Sequence, residues 1–221
     1  MGTAELMAKS GNSKVICIIG VDGTGKTAHA VETLNYLQSK GQRCKYVWFG
    51  QPYVISYPFM VLCRFLGLTK MHYLQQSQTY VEHQYYRNKP VALIWPWLVL
   101  IDLKISASLR VFLLALLGYT VVCDRYIYDI LVEIMSDIND YKFYDKVVGR
   151  AILRLRPKST FIVLFDVSDL TAFQRKKDIP NIEYVTRRRR SYHLIAKHLK
   201  IPIINADQPF EVVQKQLIAL L

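Results

Sequence analysis

The segment from residue 15 to residue 39 constrains the fold of this chain more than any other. An apolar run at residues 15–19 leads directly into a glycine-rich turn, and a helical pattern follows from Lys26 to about Ser39. The turn reads G-x-x-x-x-G-K-T between a strand and a helix, the context that this motif requires. The segment therefore predicts an α/β fold with a phosphate-binding loop (P-loop) at the end of a central strand.

The residue types of this turn suit a nucleoside triphosphate. Glycines allow backbone N–H groups to curl around phosphates, Lys26 brings a positive charge to the β- and γ-phosphates, and the Thr27 hydroxyl can ligate Mg²⁺. The start of the following helix adds further N–H groups. The predicted nucleotide contacts are Gly20, Asp22, Gly23, Thr24, Gly25, Lys26 and Thr27.

Length and composition indicate one globular domain over residues 1–221. The chain is 52% hydrophobic and 21% charged, which argues against disorder. Its four cysteines form no C-x-x-C pair, so a disulfide framework or zinc site is not expected, and a cytoplasmic location is predicted. The net charge of +12 suits phosphate-bearing ligands, nucleic acid among them, without choosing between them.

Strand and helix patterns alternate along most of the chain. Apolar, β-branched runs predict strands at about 14–20, 45–50, 119–123, 160–166 and 201–206. Helices are predicted at about 25–40, 127–139, 143–155, 184–199 and 209–220, and a long, mostly helical stretch separates the second strand from the third. This order predicts a five-stranded parallel sheet with helices on both faces and ligand sites at the carboxyl ends of the strands.

Residues 91–117 are the most apolar part of the chain. Asp102, Lys104 and Arg110 interrupt the run, so a membrane-spanning helix is not predicted. A buried helix pair with Pro96 near its start accounts for the pattern, and a lipid-facing surface remains an alternative.

The third predicted strand ends in Asp124-Arg125-Tyr126. In a parallel sheet this strand end lies beside the glycine-rich turn, where Asp124 can organise Mg²⁺ or accept a proton. Arg125 can bind a phosphate through two hydrogen bonds. The alternative is an ion pair that only stabilises the end of the strand.

Together these motifs resemble the thymidylate kinase family. The resemblance rests on the turn with Asp22-Gly23, on Asp124-Arg125-Tyr126, on the strand at residues 161–167, and on a tail with Arg175, Arg187, Arg189, Tyr192 and residues 203–206. Such a protein transfers the γ-phosphate of ATP to a nucleoside monophosphate with Mg²⁺, usually as a homodimer. The resemblance implies that Asp22 and Asp124 flank the transferring phosphate and that Arg125 holds the phosphate of the acceptor.

The resemblance also implies a basic lid at about residues 174–190. This segment carries seven basic residues within sixteen positions, and the family pattern assigns Arg175 to catalysis and Arg187 or Arg189 to the nucleotide. Neighbouring helical residues lie about 100° apart, so Arg187, Arg188, Arg189 and Arg190 cannot all face one ligand. Plain surface or a nucleic-acid patch are the alternatives for this run.

The acceptor side departs from the family pattern. Gly50-Gln51-Pro52 stands where the family has Arg-Glu-Pro, and a second family arginine falls at Leu103. Two lost guanidinium groups, each contributing about 1.5–3 kcal/mol, weaken the case for dTMP as acceptor. Residues 51–104 are instead rich in aromatics, in which Gln51, Tyr85 and Tyr86 are candidate substrate contacts and most of the others suit a core or a dimer interface.

The leading hypothesis is a Mg²⁺-ATP-dependent nucleoside monophosphate kinase acting on a small phosphorylated acceptor. A deoxynucleoside kinase and a kinase of a larger or lipid-linked acceptor are close alternatives. From another class come a nucleotide-dependent nucleic-acid-binding protein and a nucleotide-binding module without turnover.

Overall fold

A parallel sheet of five strands forms the centre of the part of the chain that the structure describes. The structure is a computed structural model, and it describes residues 15–50, 54–73, 79–176 and 179–221. The strands lie in the order β2-β5-β1-β6-β7. Their bounds are Val15–Ile19 (β1), Cys44–Trp48 (β2), Thr120–Asp124 (β5), Thr160–Asp166 (β6) and Ile203–Asn205 (β7). The sequence analysis predicted all five.

Helices cover the sheet. All five residues of β1 are buried, and because successive side chains of a strand point to opposite faces, both faces are covered. The helices of the sheet-forming regions are Lys26–Ser39 (α1), Ile127–Asp137 (α5), Val147–Leu153 (α6), Asp169–Arg175 (α7), Ile182–Leu199 (α8) and Phe210–Leu220 (α9). The prediction of an α/β protein with a parallel sheet flanked by helices is confirmed.

The middle third differs from expectation. A helix, Tyr57–Phe65 (α2), is followed by an antiparallel hairpin of Thr69–Tyr73 (β3) and Thr79–His83 (β4), which pairs residues 69–73 with residues 79–83. The sequence analysis predicted mostly helix here. Both segments contain threonine and tyrosine, and β4 also contains valine, residues that pack well on a pleated surface.

The predicted helix pair at residues 91–117 is wrong. Lys89–Ala107 (α3) continues through a π-helical segment, Ser108–Phe112, into Leu113–Leu116 (α4) without an intervening loop. No glycine interrupts residues 89–116, and Pro96 is accommodated inside the helix. Within the described part of the chain, no helix has both the length and the apolar character to cross a bilayer.

Asp102 on α3 holds the start of α2 in place. Its buried carboxylate accepts hydrogen bonds from the backbone N–H groups of Val54, Ile55 and Ser56, at 3.2, 2.8 and 2.9 Å, and from the Ser56 hydroxyl at 2.5 Å. A carboxylate is well suited to a helix start, where backbone N–H groups lack partners within the helix. The contact sets α2 against the middle of α3.

Candidate functional site

The turn between β1 and α1 is tightly packed. Gly20 has φ +146°, and a Cβ atom there would lie 2.3 Å from the carbonyl oxygen of Phe165 on β6. Gly23 has φ +91°, and a Cβ would lie 2.7 Å from the carbonyl oxygen of Ala172 on α7. The Thr24 hydroxyl donates to the Val21 carbonyl at 3.0 Å, inside the turn. Neighbouring elements therefore hold this backbone in a shape that only glycine permits at two positions.

Lys26 turns back over the same backbone. Its ammonium donates to the carbonyl oxygens of Gly20 and Val21, at 2.6 and 2.7 Å. Burial lowers the pKa of Lys26, and the nearby Asp22 carboxylate opposes that shift. The ammonium therefore lies beside the turn, close to a carboxylate.

Asp124, at the end of β5, meets residues from two other elements. Its Oδ2 accepts hydrogen bonds from the Thr27 hydroxyl at 2.5 Å and from the Tyr46 hydroxyl at 3.0 Å. The residue is only 1% exposed, and its Oδ1 has no hydrogen-bond partner among the described residues. Burial and the charge of Asp124 raise the pKa of Tyr46 to about 12, so Tyr46 remains a donor.

The side-chain oxygen atoms of Thr27 and Asp124 are suitable ligands for Mg²⁺. A hydroxyl and a carboxylate with a spare oxygen are hard ligands of the kind that Mg²⁺ takes when phosphates and water complete its shell. Within the described residues, no group of three or more His, Cys, Asp or Glu side chains is arranged to hold a metal ion.

Arg125 and Asp22 form an ion pair between the strand end and the glycine-rich turn. Burial opposes the charge of Asp22, but Lys26 and Arg125 outweigh it and lower the pKa of this carboxyl. Arg125 has φ +66°, a left-handed conformation that is unfavourable for a side chain of this size. The backbone is held in this strained shape where the guanidinium faces Asp22.

Asp129, in the first turn of α5, holds the residue that follows Arg125 in the chain. Asp129 accepts from the Tyr126 backbone N–H at 2.9 Å through Oδ2 and from the Tyr192 hydroxyl at 2.6 Å through Oδ1. Burial raises the pKa of Asp129. This carboxyl is engaged in capping the helix and in linking it to α8, a role that the sequence analysis did not foresee.

A cavity of about 470 Å³ opens beside the ion pair. One wall is charged and is formed by Asp22, Arg125, Glu133, Lys176 and Arg188. The rest of the lining, here called the apolar wall, is largely apolar and comes from α2, the hairpin, the segment before α8 and the first turn of α8: Tyr57, Met60, Val61, Val81, Ile179 and Tyr184, with Arg64, Thr69 and His83. The cavity is thus amphipathic.

Arg188 is the arginine of the basic run that faces this cavity. Its guanidinium lies 3.6 Å from the Glu133 carboxylate and 4.5 Å from the centre of the Tyr184 ring. The sequence analysis did not select it. The signal was available, because Arg188 follows buried Val185 by three positions and precedes buried Tyr192 by four, on the inner face of α8.

The three selected lid arginines lie elsewhere. Arg189 binds Asp166 through two hydrogen bonds of 2.7 and 2.8 Å, and it also contacts Asp169. Arg187 lies 3.5 Å from Glu183, and Arg175 donates to the Ala206 carbonyl at 3.1 Å. None of the three lines the cavity beside Asp22, and each contacts the partner just named instead.

Of the predicted acceptor contacts, Tyr85 needs a correction, while Tyr86 and Gln51 stay predictions. Tyr85 is fully buried, with its ring 4.9 Å from the rings of His83 and of Trp95, so it is a core residue and not a surface for stacking. Tyr86 is 44% exposed and does not line the cavity. Gln51 lies outside the described residues. Leu103, where the resemblance expects an arginine, is buried in the core.

Comparison with known proteins adds no family to this geometry: no protein-family model matches the chain, and no curated protein matches it either.

Proposed function

We propose that this protein is a Mg²⁺-dependent phosphotransferase that moves the γ-phosphate of ATP to a small acceptor, most closely in the manner of a thymidylate kinase. One observation carries the proposal. Thr27, at the start of α1, and Asp124, at the end of β5, are 97 positions apart in the chain, yet their side chains are 2.5 Å apart. Asp22, in the same turn as Thr27, and Arg125, next to Asp124 in the chain, also form an ion pair.

Each residue of the turn has a task in this proposal. The backbone N–H groups of residues 20–27 and the start of α1 would bind the triphosphate. Lys26 would exchange its two carbonyl partners for phosphate oxygens. Thr27 and Asp124 would hold Mg²⁺, which neutralises phosphate charge during transfer.

The charged wall of the cavity would receive the acceptor. Arg125 would hold an acceptor phosphate, and Arg188 and Lys176 bring two further positive charges to the same wall. Asp22 and Glu133 keep the two guanidinium groups oriented before an anion arrives. Such pre-positioned charges stabilise the negative charge that spreads over a transferring phosphoryl group.

A nucleoside monophosphate is the leading acceptor, with dTMP the reference case. The apolar wall formed by Met60, Val61 and Val81 favours a second candidate, an acceptor with a larger apolar part. The arginine run gives little support to nucleic-acid binding. Arg187, Arg188 and Arg189 contact carboxylates, and Arg190 lies over the Tyr141 ring.

A coupled assay of ADP release tests the proposal. The panel contains dTMP, dUMP, CMP and UMP, with thymidine and deoxycytidine to detect a nucleoside kinase. We expect acceptor-stimulated turnover that Lys26→Ala abolishes and that Lys197→Ala, at an exposed lysine, leaves unchanged. Measured ATP binding without stimulation by any acceptor would reduce the proposal to a nucleotide-binding module, and absence of ATP binding would refute it.

The resemblance implies a homodimer, and the cysteine pattern predicts a cytoplasmic location. Both remain predictions, and sedimentation velocity at several protein concentrations measures the first.

A further inference from the structure

The long helical segment α3–α4 carries an exposed apolar stripe, here called the α3 stripe. It consists of Leu93, Ile94, Trp97, Ile101, Ile105, Leu109, Phe112, Leu113 and Leu116. Leu93 at one end is 70% exposed and Leu116 at the other is 69% exposed. At 1.5 Å per residue, the stripe is about 35 Å long. Single exposed apolar residues are ordinary, but a continuous row of this length indicates a contact surface.

The opposite side of the same helix is part of the core. Trp95, Val99, Leu103 and Val111 have no exposed surface. The helix therefore lies lengthwise against the rest of the protein and presents the α3 stripe outward.

The start of α2 extends this surface. The Asp102 carboxylate fixes Val54, Ile55 and Ser56 beside α3, next to Ile101 in the chain. Val54 and Ile55 are themselves exposed, and so are Tyr57, Leu62 and Phe65 further along α2, the last at 84%. The α3 stripe and these exposed residues of α2 are here called the apolar face.

Acidic residues are almost absent from this part of the sequence. Between residues 33 and 123 there are nine Lys and Arg residues but only Glu82 and Asp102 as acids, a net charge of +7 within a total of +12. Asp102 is buried and bound to α2, and Glu82 contacts His72 at 2.8 Å. The apolar face therefore belongs to a stretch of the sequence with a large excess of positive charge.

The charge of Lys104 distinguishes two candidate partners of this face, a second copy of the chain and an anionic lipid surface. It is exposed and follows Trp97 by seven positions, two helical turns, so it rises from within the α3 stripe. A second copy of the chain would bring the same positive charges to the contact, with no exposed carboxylate between residues 84 and 123 to pair with Lys104. An anionic lipid surface accepts both the apolar side chains and a lysine that reaches the headgroups.

We propose that the α3 stripe and α2 dock this protein on an anionic lipid bilayer. The helix lies in the interface with Lys104 among the headgroups. Because α2 supplies Met60 and Val61 to the cavity wall and Phe65 to the exposed face, the docked bilayer lies next to the apolar wall of the cavity. The proposal goes beyond phosphoryl transfer and does not depend on it.

Co-sedimentation with vesicles tests the docking. For the full chain we expect at least about tenfold tighter binding to vesicles of about one part phosphatidylglycerol to three parts phosphatidylcholine than to phosphatidylcholine alone. The triple variant Leu93→Gln/Ile101→Gln/Leu109→Gln is expected to bind at least about tenfold more weakly, and Lys104→Glu about fivefold more weakly. The matched control Val147→Gln/Val212→Gln, at exposed apolar residues on α6 and α9, retains binding.

Three outcomes overturn the proposal. In co-sedimentation, they are wild-type protein that binds neither kind of vesicle and a triple variant that binds as well as wild type. In sedimentation velocity and circular dichroism, it is a wild-type dimer that the triple variant converts to a folded monomer, since the face is then an interface between copies.

Fluorescence quenching tests the orientation without disturbing the stripe. The chain has three tryptophans, at positions 48, 95 and 97, of which Trp95 is buried and Trp97 lies in the stripe. In a Trp48→Phe background, anionic vesicles with brominated acyl chains are expected to quench Trp97 and shift its emission to shorter wavelength. The further change Trp97→Phe removes both effects. Vesicle-bound protein whose Trp97 stays unquenched would show that another face docks.

Discussion

At the scale of single residues, Asp124 shows how contacts between distant segments prepare a site. One carboxylate oxygen accepts hydrogen bonds from Thr27 and Tyr46, and the other has no partner among the described residues. Because Tyr46 donates to Asp124, we expect it to act at the proposed site by positioning that carboxylate. A carboxylate held by two donors keeps its second oxygen in a constant direction, as a metal ligand requires.

Tyr46→Phe should therefore weaken Mg²⁺ use. Loss of a hydrogen-bond partner that orients a metal ligand lowers metal affinity about 10- to 100-fold, and turnover at limiting Mg²⁺ should fall by about the same factor. Raising the Mg²⁺ concentration should recover part of the loss, a response that a purely structural role would not produce.

Tyr119→Phe is the matched control, because the Tyr119 hydroxyl accepts only from exposed Arg43, at 3.1 Å, among the contacts of the described residues. An unchanged Mg²⁺ dependence of Tyr46→Phe would show that Asp124 does not need this hydroxyl.

At the scale of elements, the β1–α1 turn depends on the strand and the helix that pack over it. The backbone of β6 approaches Gly20 and the backbone of α7 approaches Gly23 so closely that no Cβ atom fits. The turn therefore takes its shape from tertiary packing as well as from its own glycines.

Gly20→Ala should cost about 2–4 kcal/mol of unfolding free energy and abolish ATP binding, because the added Cβ meets a backbone oxygen that cannot rotate away. Gly41→Ala is the control for a glycine at positive φ without a steric contact, since Gly41 has φ +77° and no atom within 4 Å of the added Cβ. It should cost about 1–2 kcal/mol, for backbone strain alone. Urea unfolding compares the two variants, and equal losses would refute the steric explanation.

A second element-scale contact is the one between Asp102 and the start of α2. Asp102→Ala should cost about 2–4 kcal/mol, because three backbone N–H groups and a hydroxyl lose a charged acceptor. Hydrogen exchange should become faster at residues 54–56, while the amides of β1 keep their relative protection. Asp102→Asn keeps one acceptor oxygen and should lose less. Unchanged exchange at residues 54–56 in Asp102→Ala would show that α2 is held by its side-chain packing alone.

At the scale of the whole molecule, carboxyl groups with shifted pKa values make the stability depend on pH in two opposite directions. The pKa values of Asp22 and Asp166 are lowered, since their basic partners outweigh burial. Their contribution to stability is present above the unfolded-state pKa of about 4 and is lost as the pH falls through the lowered values. Burial, with the charge of Glu133, raises the pKa of Asp137 well above its usual value. The stability associated with Asp137 is present below about pH 4 and is lost as the pH rises through its raised pKa.

Asp137→Asn isolates that second part. The amide oxygen can still accept from the Trp95 indole N–H, which lies 3.2 Å from Oδ2 in the wild type, but no charge has to be buried. Relative to wild type, the variant should gain up to about 1.4 kcal/mol per pH unit between the unfolded and folded pKa of Asp137. Urea unfolding from pH 4.5 to 8 measures the difference, with exposed Asp145→Asn as control. A difference that stays constant with pH would contradict the raised pKa.

The amino-acid sequence by itself determined the sheet and the elements that carry the candidate site. The buried run of β1, the glycine-rich turn after it and the alternation of strands and helices are local patterns, because each arises from residues within a few positions of one another. The strand end at Asp124-Arg125 could be placed for the same reason, since parallel strands end at one edge of a sheet.

Only the tertiary structure decided which side chains meet there. Tyr46 and Asp124 are 78 positions apart, and Arg188 faces Glu133 because α8 packs against α5. Tyr85 could not be assigned to the core from its aromatic neighbours, and the hairpin could not be separated from the helical stretch around it. These outcomes depend on which surfaces face each other. A pattern of neighbouring residues can place an element, but it does not determine which side chains meet across the fold.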